Sequence, residues 1–441
     1  MYNAIIIGAG VVGSAVARAL ILKYPDWKIA VLEKEEAPGL HTSSRNSGVV
    51  HSGFNQKPGT LKAKLCVEGN RLMREYCKAH NVDLQQVGTL VVAQDAQETS
   101  VLEELLARGK SNGVPDIQII DSKRLKELEP NSKGHAALYS PTGSIVDNPG
   151  FVNAVVKDAK EKGVEFFFNQ KVTNIEEGTS GFKVYANSKS DPNSSSNSAL
   201  NSLCHPHPTP SGVLGTCSPL KGEEEECGSP ISSFIIHHSS FLINCASLYA
   251  DKIAHMLDIG KEYTIVPFRG GYYQIAQNKK DIVKSMIYPA PDLQYPFLGV
   301  HWTKKVNGDV IIGPNAVIAF GRESYSTFDI KPIETIQMAT EAAFWKMLSG
   351  KEFREQAGKQ FKITLSKKVF VEAAKKLVPG VTESDFMPGP AGNRAQLIDK
   401  KGELIDDVLI ERKGNSIHVL NAVSPGFTTS LSFASHLTKD L

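Results

Sequence analysis

Residues 4–13 read Ala-Ile-Ile-Ile-Gly-Ala-Gly-Val-Val-Gly, and the fold is decided by how this stretch sits in the chain. The run Ala4–Ile7 has no polar alternation, which is the pattern of a strand buried on both faces of a parallel sheet. It stops at Gly8. Val12, Val16, Ala19 and Leu20 then recur at helical spacing as far as Leu22, and a second buried-strand pattern, Ile29-Ala30-Val31-Leu32, ends at Glu33. Strand, tight turn, helix, strand is a βαβ unit. Its turn carries Gly8, Gly10 and Gly13 at the spacing G-x-G-x-x-G. The first glycine closes the turn, the second admits a pyrophosphate to the backbone, and the third lets helix and strand touch. Free N–H groups and a partial positive charge at the helix N-terminus attract phosphate. Glu33, about twenty residues on, stands where a carboxylate accepts hydrogen bonds from an unphosphorylated ribose. An ordinary glycine-rich turn is the alternative, and the flanks and the acid argue against it. FAD and NAD both satisfy this fingerprint, which does not choose between them.

Outward from this unit, Leu61–His80 and Pro149–Lys162 read as helices and Val87–Ala93, Val164–Phe168 and Phe234–Asn244 as strands. Short apolar runs from Tyr263 to Ile318, bounded by Gly, Pro and Asn, predict an antiparallel sheet, and a helical region follows over Pro332–Leu377. A strand over Ser416–Leu420 and a helix over Thr428–Leu437 bring the tail back to the first unit. The 441 residues exceed one ordinary core, so two joined domains are expected. The fold class is mixed α/β: a Rossmann-like part interleaved with an antiparallel-sheet part. We divide it as 1–80, 145–260 and 385–441 for the nucleotide and 81–144 and 261–384 for a substrate. Residues 187–233 are rich in Ser, Asn, Pro and Gly, and read as a disordered low-complexity insertion.

A net charge of +2 gives no overall case for nucleic acid or an acidic membrane surface. The six cysteines are too sparse for a disulfide scaffold. Cys204, His205, His207, Cys217 and Cys227 fit no compact metal-ligand spacing, so no metal is expected. There is no transmembrane run, and the first strand starts too early to leave a presequence visible.

The segment His41–Gly53, His-Thr-Ser-Ser-Arg-Asn-Ser-Gly-Val-Val-His-Ser-Gly, is dense in small hydroxyl residues. Alone it reads equally as a solvated loop or, beside a dinucleotide site, as a second cofactor contact. With Lys57–Cys66 (KPGTLKAKLC), Val266–Gly270 (VPFRG), Pro296–His301 (PFLGVH), Gly313–Phe320 (GPNAVIAF), Gly389–Gln396 (GPAGNRAQ) and Ser424-Pro425, it resembles the L-2-hydroxyglutarate dehydrogenase family, within the D-amino-acid-oxidase-like flavoproteins. The resemblance runs to about residue 436, with only 187–233 lacking a counterpart. It implies non-covalent FAD, oxidation of L-2-hydroxyglutarate to 2-oxoglutarate, a membrane quinone as electron acceptor, and a mitochondrial location, or a cytoplasmic one if no presequence exists. The expected cofactor contacts are Gly8, Gly10, Gly13, Glu33, Ser43, Arg45, Asn46, Ser47, Val172, Ala246, Ser424 and Thr428. Two departures stand out: Cys245-Ala246-Ser247 replaces a Cys-Ala-Gly-type turn, and Phe54-Asn55 follows His51-Ser52-Gly53 where the family usually has aromatic residues, so a tyrosine hydroxyl is lacking.

Oxidising a 2-hydroxy acid requires a base for the hydroxyl proton and cations for the carboxylates. His51 is the first candidate base, with a flavin contact as its alternative role, and His301 is the second. Arg269 and Arg394 lie in what read as tight glycine-bounded turns, and their planar forks suit carboxylates, with a structural ion pair as the alternative for each. Tyr272 and Tyr273 offer hydroxyls, Lys57 is a weaker candidate, and Ser424–Thr429 places a helix start near the flavin, with Thr428 or Thr429 as its cap. An oxidase of amino acids or glycerol phosphate, or a non-catalytic FAD-binding protein, are the competing functions.

Overall fold

The computed structural model describes residues 1–188, 234–292, 299–326, 328–422 and 424–441. The strand Tyr2–Ile7 lies inside an eight-stranded sheet, between the parallel strands Phe234–Asn244 and Ile29–Leu32. Having neighbours on both edges and both faces explains its unbroken apolar sequence: Ala4, Ile5 and Ile6 are fully buried. Glu165–Phe167 extends the parallel set beyond Ile29–Leu32, and Ser416–Asn421 pairs in parallel with the end of Phe234–Asn244. The helices Val11–Lys23, Asn148–Glu161 and Ser430–Leu437 share a core with one face of this sheet.

A nine-stranded sheet forms the second part. Its spine is the pair Tyr263–Ile275 and Phe386–Asp399, antiparallel over almost their whole lengths. The sheet is antiparallel throughout except where Met286–Pro289 runs parallel to Thr89–Ala93. Four helices between Pro332 and Lys375 lie in the chain between Val317–Ile318 and Phe386–Asp399, close to the predicted span.

Three expectations are corrected. The stretch around Gly389–Arg394 is the middle of a strand, not a turn, and Arg269 likewise lies inside Tyr263–Ile275. The glycines mark close backbone approach: a Cβ on Gly389 would sit 2.7 Å from the Tyr272 carbonyl oxygen, and one on Gly392 2.0 Å from that of Arg45. Because Phe386–Asp399 belongs to the second sheet, the division placed at 385 is wrong for this strand. The last helix starts at Ser430, and neither threonine caps it: the Thr429 hydroxyl donates to the Gly426 carbonyl and that of Thr428 to Val49.

Asn187 and Ser188 end the strand Gly181–Ser188, and Asn187 is the cross-strand partner of Phe234. The remainder of the expected insertion, including Cys204, His205, His207, Cys217 and Cys227, lies outside the described residues.

Candidate active site

The glycine turn is fixed by contacts that no side chain would survive. Gly8 has φ +101°, and a Cβ there would lie 2.7 Å from the Cys245 carbonyl oxygen. On Gly13 it would lie 2.0 Å from the Gly8 carbonyl oxygen. Gly10 is the N-cap of the helix Val11–Lys23 and offers no capping side chain of its own, which suits the helix start beyond Val11 to an anion. The Val11 N–H donates to the Ser43 hydroxyl at 2.9 Å, which joins the 41–53 loop to the helix start. Glu33 accepts from the Ala9 N–H at 2.8 Å and from the Glu35 N–H at 3.0 Å. The carboxylate therefore braces the turn, and each oxygen keeps a lone-pair site for a ribose hydroxyl.

Gly10, Val11 and Val12 open into a cavity of about 440 Å³, whose wall also carries Ser43, Arg45, Asn46, Ser47, Ser424 and Thr428. The loop around Asn46 is held from within. Its amide donates to the Thr42 and Ser43 carbonyls and accepts from the Gly48 N–H, while the buried Asn148 amide donates to the Ser44 carbonyl at 3.0 Å. Arg45 lies over the Tyr325 ring, 4.0 Å from its centroid.

His51, His301, Arg269 and Arg394 line the same cavity. The His51 backbone is held by Thr428 and Asn70, and its ring makes no hydrogen bond among the described residues. Burial, and secondly the Lys62 ammonium, push this imidazole down to about 4, so it is neutral around pH 7. His301 stacks on Tyr288 and its Nδ1 pairs with the Gly299 carbonyl at 2.9 Å. A carbonyl only accepts, so Nδ1 carries the proton and Nε2 keeps a lone pair. Burial lowers this ring to about 4 as well. Arg269 and Arg394 lie in adjacent strands, opposite Asn393 and Phe268. Burial lowers the pKa of both guanidinium groups; arginine is charged in proteins throughout the ordinary pH range. Tyr272 also lines the cavity, whereas Tyr273 packs on Phe370 and Phe386 in the core of the second part.

The residues fit a flavin dinucleotide: a glycine cradle that any Cβ would block, an uncapped helix start, a ribose acid, and a cavity continuing to two histidines and two arginines. Comparison with known proteins agrees. The family described as FAD dependent oxidoreductase matches residues 3–203 and 219–439. L-2-hydroxyglutarate dehydrogenase of Indibacter alkaliphilus is 37% identical, over 98% of this chain and 96% of its own. The chain belongs to the L-2-hydroxyglutarate dehydrogenase family of FAD dependent oxidoreductases. The human mitochondrial member is 34% identical over 100% of this chain and 88% of its own. The FAD-bound L-alpha-glycerophosphate oxidase of Mycoplasma pneumoniae shares the fold, with a TM-score of 0.72 at 20% identity, over 99% of this chain and 94% of that one. FAD is the cofactor, and the protein is an oxidoreductase.

Within this family frame, Gly8, Gly13 and Glu33 support the cavity from behind. Val172 is buried in the core of the first sheet, two residues after Gln170, whose N–H donates to the Glu33 carbonyl. Ala246 sits between Cys245 and Ser247, which both line the cavity. Ser247 has φ +49°, the left-handed backbone that a glycine, expected here from the resemblance, would adopt freely. Asn55, at the second departure, also faces the cavity. Lys57 is exposed. Lys62, which the sequence reading passed over, is in the wall instead, with its ammonium donating to the Asp406 carbonyl at 2.9 Å. Burial and the nearby Arg394 lower its pKa. Its place in the first turn of the helix Leu61–Ala79, facing a cavity reached by a second strand pair, left no signal in the sequence.

Proposed function

We propose that this protein oxidises L-2-hydroxyglutarate to 2-oxoglutarate. The observation that carries the reading is the gathering of Arg269, Arg394 and Lys62 with two neutral imidazoles in the cavity that begins at the glycine turn. Bound FAD supplies the acceptor for the C2 hydride. The chain supplies the rest. Three cations suit two carboxylates, and guanidinium forks fix their orientation. Neutral His51 accepts the hydroxyl proton at a ring nitrogen, with His301 as the second base. The names of the relatives support this substrate over an amino acid or glycerol phosphate. The mitochondrial names of the animal relatives support that location, and the membrane quinone remains the acceptor we infer.

Anaerobic mixing of the flavin-loaded protein with L-2-hydroxyglutarate should bleach the flavin band, and the D enantiomer should not. Bleaching by glycerol phosphate or an amino acid alone would reassign the substrate. Arg269→Lys and Arg394→Lys should each retain FAD and lose about 2–5 kcal/mol of transition-state binding in kcat/KM. Unchanged kinetics in both would move the carboxylate site elsewhere.

A further inference from the structure

Among the described residues, nine of the fourteen exposed large apolar side chains fall between 320 and 369. Several sit on helices whose inner sides make hydrogen bonds to the rest of the fold. The helix Pro332–Thr340 has no buried residue. Its inner edge is tied down by Glu334, which accepts from the Tyr249 hydroxyl and the Arg322 N–H, and by Gln337, which accepts from Lys252. Ile333 and Ile336, one turn apart, are 74% and 64% exposed. In the helix Lys351–Leu365, Gln360 and Thr364 turn inward to Ala316 and Asn315, and Phe361 and Leu365 are exposed. Phe328, just before these helices, is 91% exposed.

Charge adds a second, independent observation. Residues 346–376 hold nine Lys and Arg against three Glu, a net +6 in a chain whose total is +2. The whole-chain balance hides this concentration. Lys346, Lys351, Arg354, Lys362, Lys368 and Lys376 are exposed. Exposed aliphatic and aromatic side chains interspersed with lysines are the composition of a helix that lies in a lipid interface, with apolar side chains below the headgroups and ammonium groups among them. No helix among the described residues is long and apolar enough to cross a membrane.

We propose that the outer face of the helices between 332 and 375 docks onto an anionic lipid surface. Two copies of this chain would bring like charge against like charge, which disfavours a dimer through the same face. Gln360, Asn315 and Ala316 line the active-site cavity, so the docking helix is also part of its wall. Docking therefore sets the cavity beside the membrane. The proposal holds for any substrate, and its readout does not depend on turnover.

The test is co-sedimentation of the flavin-loaded full chain with vesicles of phosphatidylcholine, with and without phosphatidylglycerol. Binding should require phosphatidylglycerol and fall as salt rises. Lys362→Gln with Lys368→Gln should weaken it by roughly twentyfold, from the contribution of each lysine near such a surface. Ile333→Gln with Ile336→Gln should weaken it with the charge intact. Flavin absorbance should be unchanged in both, since none of these residues is buried. Wild-type protein left in the supernatant at low salt, or both double variants binding as wild type, would overturn the proposal. So would a dimer in solution that the isoleucine variant dissolves without any vesicle binding.

Discussion

Two side chains in the cavity have behaviour that can be calculated from their surroundings. Ser247 holds φ +49°, and a left-handed L-residue costs roughly 1–2 kcal/mol. Ser247→Gly should raise stability by about 1 kcal/mol, less what glycine adds to the unfolded chain's entropy, and should keep FAD bound at least as firmly. A lower unfolding midpoint with faster FAD loss would show that its hydroxyl, 3.4 Å from that of Thr42, matters more than the strain. For His51 the sign follows from the causes. Burial and then Lys62 depress its pKa to about 4, so the free enzyme holds it neutral from pH 9 down to about 5. Flavin reduction should stay level over that range and fall below it. Lys62→Met removes a repelling charge, so the inflection should move up toward the ordinary 6.5. His51→Ala should slow reduction by roughly 10²–10⁴-fold and erase the inflection. If the inflection persists, the base is His301, whose pKa is also held at about 4. The sequence made His51 legible because it lies in a dense local motif. It hid Lys62 because that residue reaches the site only through the packing of its helix.

At the level of elements, the glycine turn was readable because strand, turn and helix are contiguous and each glycine has a local reason. The strand Phe386–Asp399 was not readable. Its Pro388, Gly389, Pro390 and Gly392 break both alternation and propensity, and what makes it a strand is its long partner Tyr263–Ile275, over a hundred residues earlier. A third feature, also invisible locally, joins the two parts. Arg322 forms a bidentate pair with Asp251 at 2.5 and 2.7 Å, both side chains buried, and Asp251 also accepts from the Ile265 N–H at 2.9 Å. Asp251→Ala strands a guanidinium and an N–H, and should cost about 3–5 kcal/mol in unfolding free energy. Arg322→Met with Asp251→Leu should recover much of that loss, because a matched apolar pair leaves no buried charge. A double variant as unstable as the single one would show that the pair itself is needed.

For the whole molecule, Asn187 and Phe234 are cross-strand neighbours, so the chain leaves and re-enters the sheet at one point. Deleting 190–230 leaves a short connection that can still close this hairpin. The deleted chain should fold, hold FAD and reduce it at near wild-type rate, within about a factor of two, because loop closure depends only weakly on length. Colourless or insoluble protein would show that these residues belong to the core assembly. Composition served well for fold class and poorly for surface: an average of +2 over 441 residues conceals the +6 of one helical segment.

The first sheet also imposes an order on biosynthesis. Tyr2–Ile7 is made long before Ser416–Asn421, which takes its place beside Phe234–Asn244 in the same sheet. That strand brings the cavity wall at Val419 and Leu420, and Phe427 and the helix Ser430–Leu437, which packs on Val11–Lys23, arrive after it. A nascent chain thus carries the glycine turn with no complete chamber around it until these wall residues are made. Enclosure of the flavin therefore waits for the segment 416–437, and a stop codon ahead of it would leave the nucleotide motif intact and the cavity wall incomplete.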